Sequence, residues 1–77
     1  MLCIMKNWID LIDVETGKDT GMAIQLNLHD REYYPYWVWC PRSCYRVKYN
    51  GKQMIRQIKR DFAESKGWLE RSWCFEI

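Results

Sequence analysis

Histidine occurs once in this sequence, proline twice, and glycine four times among 77 residues. Each scarcity excludes something. The lone histidine, His29, has no G-x-S-x-G turn or comparable nucleophile-bearing element to work with, so no nucleophile–base pair is legible. Strand alternation places it on a polar face beside Asp30, where a solvated loop histidine is the expectation. Gly17, Gly21, Gly51 and Gly67 stand apart from one another and read as turn residues, not as a loop that cradles phosphates. Asp10 and Asp13 lie beside strand apolars without a catalytic spacing. The expectation is a protein that is not an enzyme and needs no cofactor.

Long apolar runs are also missing. None approaches the ~20 residues that cross a bilayer, and MLCIMKNWID lacks a basic segment followed by an apolar block. A soluble, cytoplasmic chain is therefore expected, without a membrane partner, in a compartment that keeps Cys3, Cys40, Cys44 and Cys74 reduced. Cys40 and Cys44 form a C-x3-C pair, one residue longer than the common zinc knuckle, and Cys3 and Cys74 sit inside predicted strands. No metal site is expected from that spacing. A disulfide across Pro41, Arg42 and Ser43 would close a very short loop and stabilise little. With no repeat, linker or low-complexity tract, residues 1–77 read as one small domain.

Aromatic residues are plentiful, at 16% with five Trp and five Tyr. A domain of this size buries only about 60% of its unfolded surface, and large rings give much burial per residue. The same rings are enriched at binding surfaces. Tyr33, Tyr34, Tyr36, Trp37 and Trp39 put five rings into seven residues, more than one face of a short strand can bury. Some of them are expected to be exposed beside Arg42, as a protein-binding cluster.

Charge is unevenly spread beneath a formal net of +2. Residues 1–30 carry Lys6 and Lys18 against Asp10, Asp13, Glu15, Asp19 and Asp30, a net of −3. Residues 42–60 carry Arg42, Arg46, Lys48, Lys52, Arg56, Lys59 and Arg60 with no acid, a net of +7. Such a block suits nucleic acid or an acidic protein surface; the plainer reading is a solvated face, neutralised in part by Glu70 and Glu76 pairing with Arg46 and Lys48.

The periodicity of residues 50–67 predicts a helix. Asn50 and Gln53 have capping-box spacing, Gly67 suits the residue after the last turn, and Met54, Ile55, Ile58 and Phe62 share an arc. Lys52, Arg56, Lys59, Arg60 and Lys66 share the neighbouring arc with the small Ala63. Residues 3–14, 21–29, 36–40, 44–50 and 68–77 read as strands, the first two joined as a hairpin by ETGKDTG. In that reading Met22, Ile24, Leu26 and Leu28 face one way, and Tyr45, Val47 and Tyr49 face the core. The expected fold is α+β: a mostly antiparallel sheet in the order β-β-β-β-α-β, with one amphipathic helix at 51–66 packed on one face and Ile55, Ile58 and Phe62 buried.

The chain carries no family motif. In type, being short, single-domain, aromatic-rich and without catalytic residues, it is similar to small accessory proteins of phages and mobile elements. That similarity implies a protein that occupies a surface, as an inhibitor of host or defence machinery, in the cytoplasm of the host cell. Two functions follow as expectations. One is an inhibitor or adaptor that docks on a protein, with nucleic-acid-handling machinery among the candidate partners, through a basic helix face and the rings of Tyr36, Trp37 and Trp39. The other is direct DNA or RNA binding through Arg42, Arg46, Lys48, Lys52, Arg56, Lys59 and Arg60.

Overall fold

A computed structural model describes residues 7–76. The strands are β1 (Trp8–Leu11), β2 (Glu15–Asp19), β3 (Ala23–Asn27), β4 (Trp37–Pro41), β5 (Tyr45–Asn50), β6 (Gln53–Lys59) and β7 (Phe75–Glu76), with one helix, α1 (Arg60–Ser65), between β6 and β7. Short 3-10 turns occupy Arg42–Cys44 and Trp68–Glu70. The fold is α+β and mostly antiparallel, as expected, but it holds two sheets. One has the strand order β5-β6-β1-β7 and the other β2-β3-β4.

The principal correction concerns residues 51–66. Most of that stretch is not helical: β5 and β6 form a hairpin in which Asn50 pairs with Gln53. The two-residue loop is Gly51-Lys52, and Gly51 carries the positive φ of 65°, where a type II′ hairpin turn takes glycine. Asn50 and Gln53 therefore face each other across a turn and do not cap a helix. The spacing of Met54, Ile55 and Ile58 suited a helical stripe, yet Ile58 also fits the strand period. As a strand residue it lies opposite both Tyr45 and Ile9 and is fully buried. A β-branched side chain packs well between two such neighbours.

Only the last third of the expected helix is α1. Its six residues bury Ala63, so Ala63 faces the core and does not lie on an exposed basic arc. Phe62 packs edge-on against Trp68 at 5.3 Å. Gly67 ends the helix as expected, with φ 72°, and its N–H donates to the Glu64 carbonyl at 3.0 Å.

Other boundaries move for similar reasons. ETGKDTG is largely strand: β2 pairs with β3, so the first hairpin joins those two. β1 instead pairs with β6 and β7; residues 3–6 of its expected range, Cys3 among them, lie outside the described residues. The last expected strand shrinks to β7, because Trp68–Glu70 and the following turn intervene; Ile77 is also outside the described residues. Ile9, Val14, Ile24, Leu26, Leu28, Cys40, Tyr45, Ile58, Trp68 and Phe75 form one continuous core between the sheets. Met22, expected alongside Ile24, is exposed in the turn before β3.

Candidate docking surfaces

Strand β4 sorts its side chains by alternation. Val38 and Cys40 point inward, opposite Leu26 and Ile24, while Trp37 and Trp39 point outward, opposite Asn27 and Gln25. The two outward rings remain 45% and 47% exposed. Trp37 reaches across the sheet toward β2, where a Cβ on Gly17 would come within 2.9 Å of its Cζ3. The loop before β4 is pinned, because Asp30 Oδ1 accepts the N–H groups of Glu32 and Tyr34, each at 2.9 Å. The Tyr36 N–H donates to Asn27 Oδ1 at 2.9 Å, and its ring sits under the Arg71 guanidinium at 4.6 Å. All five rings of Tyr33–Trp39 are exposed. The count of rings foretold some exposure; the structure exposes the whole set.

The basic block is divided, which corrects the single helical arc. Arg46, Lys48 and Lys59 share the polar face of the four-stranded sheet, and Lys52 sits in the hairpin turn. On that face Arg46 Nε donates to Gln57 Oε1 at 2.8 Å, and Gln57 Nε2 donates to Asp10 Oδ1 at 2.6 Å. The Arg46 guanidinium lies 4.2 Å above the Trp8 ring, with Lys59 6.0 Å from the same ring. Arg56 is on the opposite face and reaches the Val14 carbonyl at 3.4 Å. Arg42 pairs with Asp19 at 3.6 Å. Arg60 begins α1 with its Nε buried and unpartnered. The expected pairing of Glu70 and Glu76 with Arg46 and Lys48 is not formed; Arg42–Asp19 is the one ion pair among the described residues. The outer half of the β5–β6 hairpin also exposes Val47, Tyr49 and Met54, although Val47 and Tyr49 were expected in the core. Only Tyr45, nearest β1 and the core, is buried.

His29 is a further correction. It is 6% exposed, not a solvated loop residue. Because β3 stops at Asn27, strand alternation no longer decides which way residue 29 points. Its carbonyl accepts the Trp73 indole N–H at 2.6 Å, and its ring stacks on Tyr33 at 4.7 Å and 18°. Nδ1 lies 2.8 Å from the Asp30 carbonyl. A carbonyl only accepts, so Nδ1 carries a proton.

No cluster of three or more metal-ligating side chains occurs among the described residues. Burial, and then the nearby Cys44, pushes the Cys40 thiol up to about 12; burial also raises Cys74. No helix of the described residues is long and apolar enough to cross a membrane.

A large open groove of about 1240 Å³ is lined by residues of both sheets and of the loops after β1 and β3. Asp10, Asp13, Glu15 and Glu76 line it, together with His29 and Tyr33. A cleft of about 310 Å³ adjoins it and shares Asp13, His29 and Tyr33 with it. Sequence reasoning missed this groove, since its residues come from distant strands and loops; the acidic first third was the one signal available. Set against known proteins, the chain matches no family model, no curated protein and no solved structure.

Proposed function

We propose that this chain is a non-catalytic inhibitor or adaptor that occupies the surface of a partner protein through Trp37 and Trp39. The carrying observation is the pair of half-exposed indoles side by side on one rigid sheet face. Exposed aromatic anchors held by a scaffold are what interface hot spots are made of, and truncating one typically costs more than about 2 kcal/mol. The basic helix face has no part in this reading, because Lys52, Arg56 and Lys59 lie on a hairpin and only Arg60 and Lys66 belong to α1 and its C-cap. The test is capture of a host protein by the wild-type chain, with nuclease present, compared with Trp37→Ala/Trp39→Ala. The double variant should keep its circular dichroism spectrum and lose the captured protein. Equal capture by both would sink the reading.

Direct nucleic-acid binding is a second reading, favoured by Arg46, Lys48 and Lys59 on one sheet face without an acid partner among the described residues. It predicts affinity that falls steeply with salt, through release of counterions. Lys48→Glu/Lys59→Glu should then abolish binding while Trp37→Ala/Trp39→Ala leaves it unchanged.

A further inference from the structure

We infer that the open edge of β5 takes up an extended segment of a partner protein as an added strand, antiparallel to β5, with acidic and apolar residues alternating along it. β5 ends the four-stranded sheet, with β6 on one side and no strand on the other among the described residues. The turn at Gly51-Lys52 makes Asn50 and Gln53 the first hydrogen-bonded pair of the hairpin. Bonded and non-bonded pairs alternate from there, so Lys48 and Arg46 turn their backbone groups to β6, while Val47 and Tyr49 turn theirs outward. The Tyr45 N–H is taken by the Arg42 carbonyl. The N–H and C=O groups of Val47 and Tyr49 have no backbone partner among the described residues. Such a row is a template for another strand.

The side chains along this edge determine what the added strand carries. Arg46 and Lys48 stand on one face, and Val47 and Tyr49 on the other, where they remain 39% and 68% exposed. Neither Arg46 nor Lys48 has an ion-pair partner among the described residues. Residues 42–60 hold no acid, and Arg56 adds a cation on the apolar face as the cross-strand partner of Val47. Across an antiparallel pair, opposite charges attract and apolar side chains pack, while like charges directly opposite repel. An acid opposite Arg46 and another opposite Lys48, with apolar residues opposite Val47 and Tyr49, complete both faces at once.

The same charges reject a second copy of this chain. Two β5 strands paired antiparallel about Val47 would set Arg46 of each copy against Lys48 of the other. Nucleic acid would also meet Arg46 and Lys48, but it makes no use of the unpaired backbone at Val47 and Tyr49, nor of the exposed Val47, Tyr49 and Met54 on the opposite face. A strand of alternating acidic and apolar residues uses all three features. The edge belongs to the sheet that lacks Trp37 and Trp39, so its use is independent of the docking role proposed above.

The test is amide hydrogen exchange of the full chain, read by NMR with and without an acetylated, amidated heptapeptide, Thr-Val-Glu-Val-Glu-Val-Thr, at millimolar concentration. In the chain alone the amides of Val47 and Tyr49 should exchange freely, while those of Arg46 and Lys48 are protected. The peptide should protect Val47 and Tyr49. Methylating its central valine nitrogen removes the donor to the Val47 carbonyl and should abolish that protection. Replacing both of its glutamates with lysine should weaken binding by about tenfold or more, since two cross-strand pairs change from attraction to repulsion. Lys48→Glu alters an exposed side chain, so it should keep the fold, weaken the glutamate peptide and improve binding of the lysine peptide. Protection of Val47 and Tyr49 in the chain alone, as a dimer paired through β5 would give, overturns the inference. So does a failure of the glutamate peptide to protect them, or equal binding of the methylated or lysine peptide. A single-stranded oligonucleotide that shifts the Arg46 and Lys48 amides where the peptide does not would assign these cations to nucleic acid instead. Trp37→Ala/Trp39→Ala should bind the peptide as wild type does, whatever the capture experiment shows; loss of binding there would place the peptide on the indoles and overturn the inference.

Discussion

Gly17 and Trp37 are fitted to each other across the outer face of the three-stranded sheet. A Cβ on Gly17 would stand 2.9 Å from Trp37 Cζ3 and 2.8 Å from Gln25 Oε1. The bare backbone there is what lets the indole lie over β2. Gly17→Ala should push the ring outward. The half-exposed indole can swing aside, whereas Gln25 Oε1 accepts the Lys18 N–H at 3.1 Å and Gln25 Cβ would stand 3.2 Å away, so the stability cost should be about 1 kcal/mol or somewhat more, each kcal/mol lowering Tm by about 4–8 °C. Partner capture should fall by more than that small loss of folded protein explains. Trp fluorescence emission, shifted to the red, would report the displaced ring; an unchanged spectrum would count against this account of Trp37.

Gly51 distinguishes the hairpin from a helix by the sign of one substitution. In a helix, Gly→Ala stabilises by roughly 0.5–1 kcal/mol. In the observed turn, where φ is 65°, a Cβ costs roughly 1–2 kcal/mol. Gly51→Ala should therefore lower the urea midpoint. A raised midpoint would return residues 51–66 to the helical reading.

Ile58 is fully buried between Ile9 and Tyr45. Ile58→Ala should cost about 2–5 kcal/mol. A small domain has only about 5–15 kcal/mol in total, with the low end more typical of its size. Urea denaturation should show the variant partly unfolded in buffer or close to it. Ile55, half-buried on the polar face, should tolerate the same change far better, and similar costs at both positions would contradict the register of β6.

Cys40 ties stability to alkaline pH. Its folded thiol is pushed up to about 12 by burial and by Cys44, above the ordinary value near 8.5 of an unfolded chain. The folded state thus holds a proton that the unfolded state releases. The stabilising contribution is complete below about pH 8.5 and is lost as pH rises toward 12. Cys40→Ser should flatten that alkaline decline in Tm. At pH 8, iodoacetamide should modify the half-exposed Cys44 before Cys40 and Cys74; rapid labelling of Cys40 in the folded chain would contradict its burial.

Several features were readable from residue order because local chemistry decides them. Ile24, Leu26 and Leu28 alternate and are buried. Gly67 stops the helix where its neighbours do so poorly. Five rings in seven residues overfill one strand face, so exposure had to follow. The hairpin was missed because Met54, Ile55, Ile58 and Phe62 satisfy a helical stripe. The choice between helix and strand rests on Ile9, more than forty residues away. His29 misled for a related reason: its burial depends on Trp73 and Tyr33, and alternation ends before it. The groove has no local signature at all. Its carboxylates belong to β1, the turn after it, β2 and β7, and only the sheet order brings them together.

The place of β1 bears on how the chain acquires its shape. It lies in the interior of the four-stranded sheet, with β6 on one side and β7 on the other, so both partners are made long after it. While the protein is being synthesised, Ile9 and Leu11 must wait without a neighbouring strand. The β2–β3–β4 and β5–β6 ladders can close early from adjacent segments. Completion of the larger sheet needs residues 57–59 and then 75–76. Such distant pairing slows folding, because the ends of a long loop must meet before any contact rewards them. A nascent chain stalled before Phe75 would hold one edge of β1 open, at the stage when a protease or a chaperone meets it first.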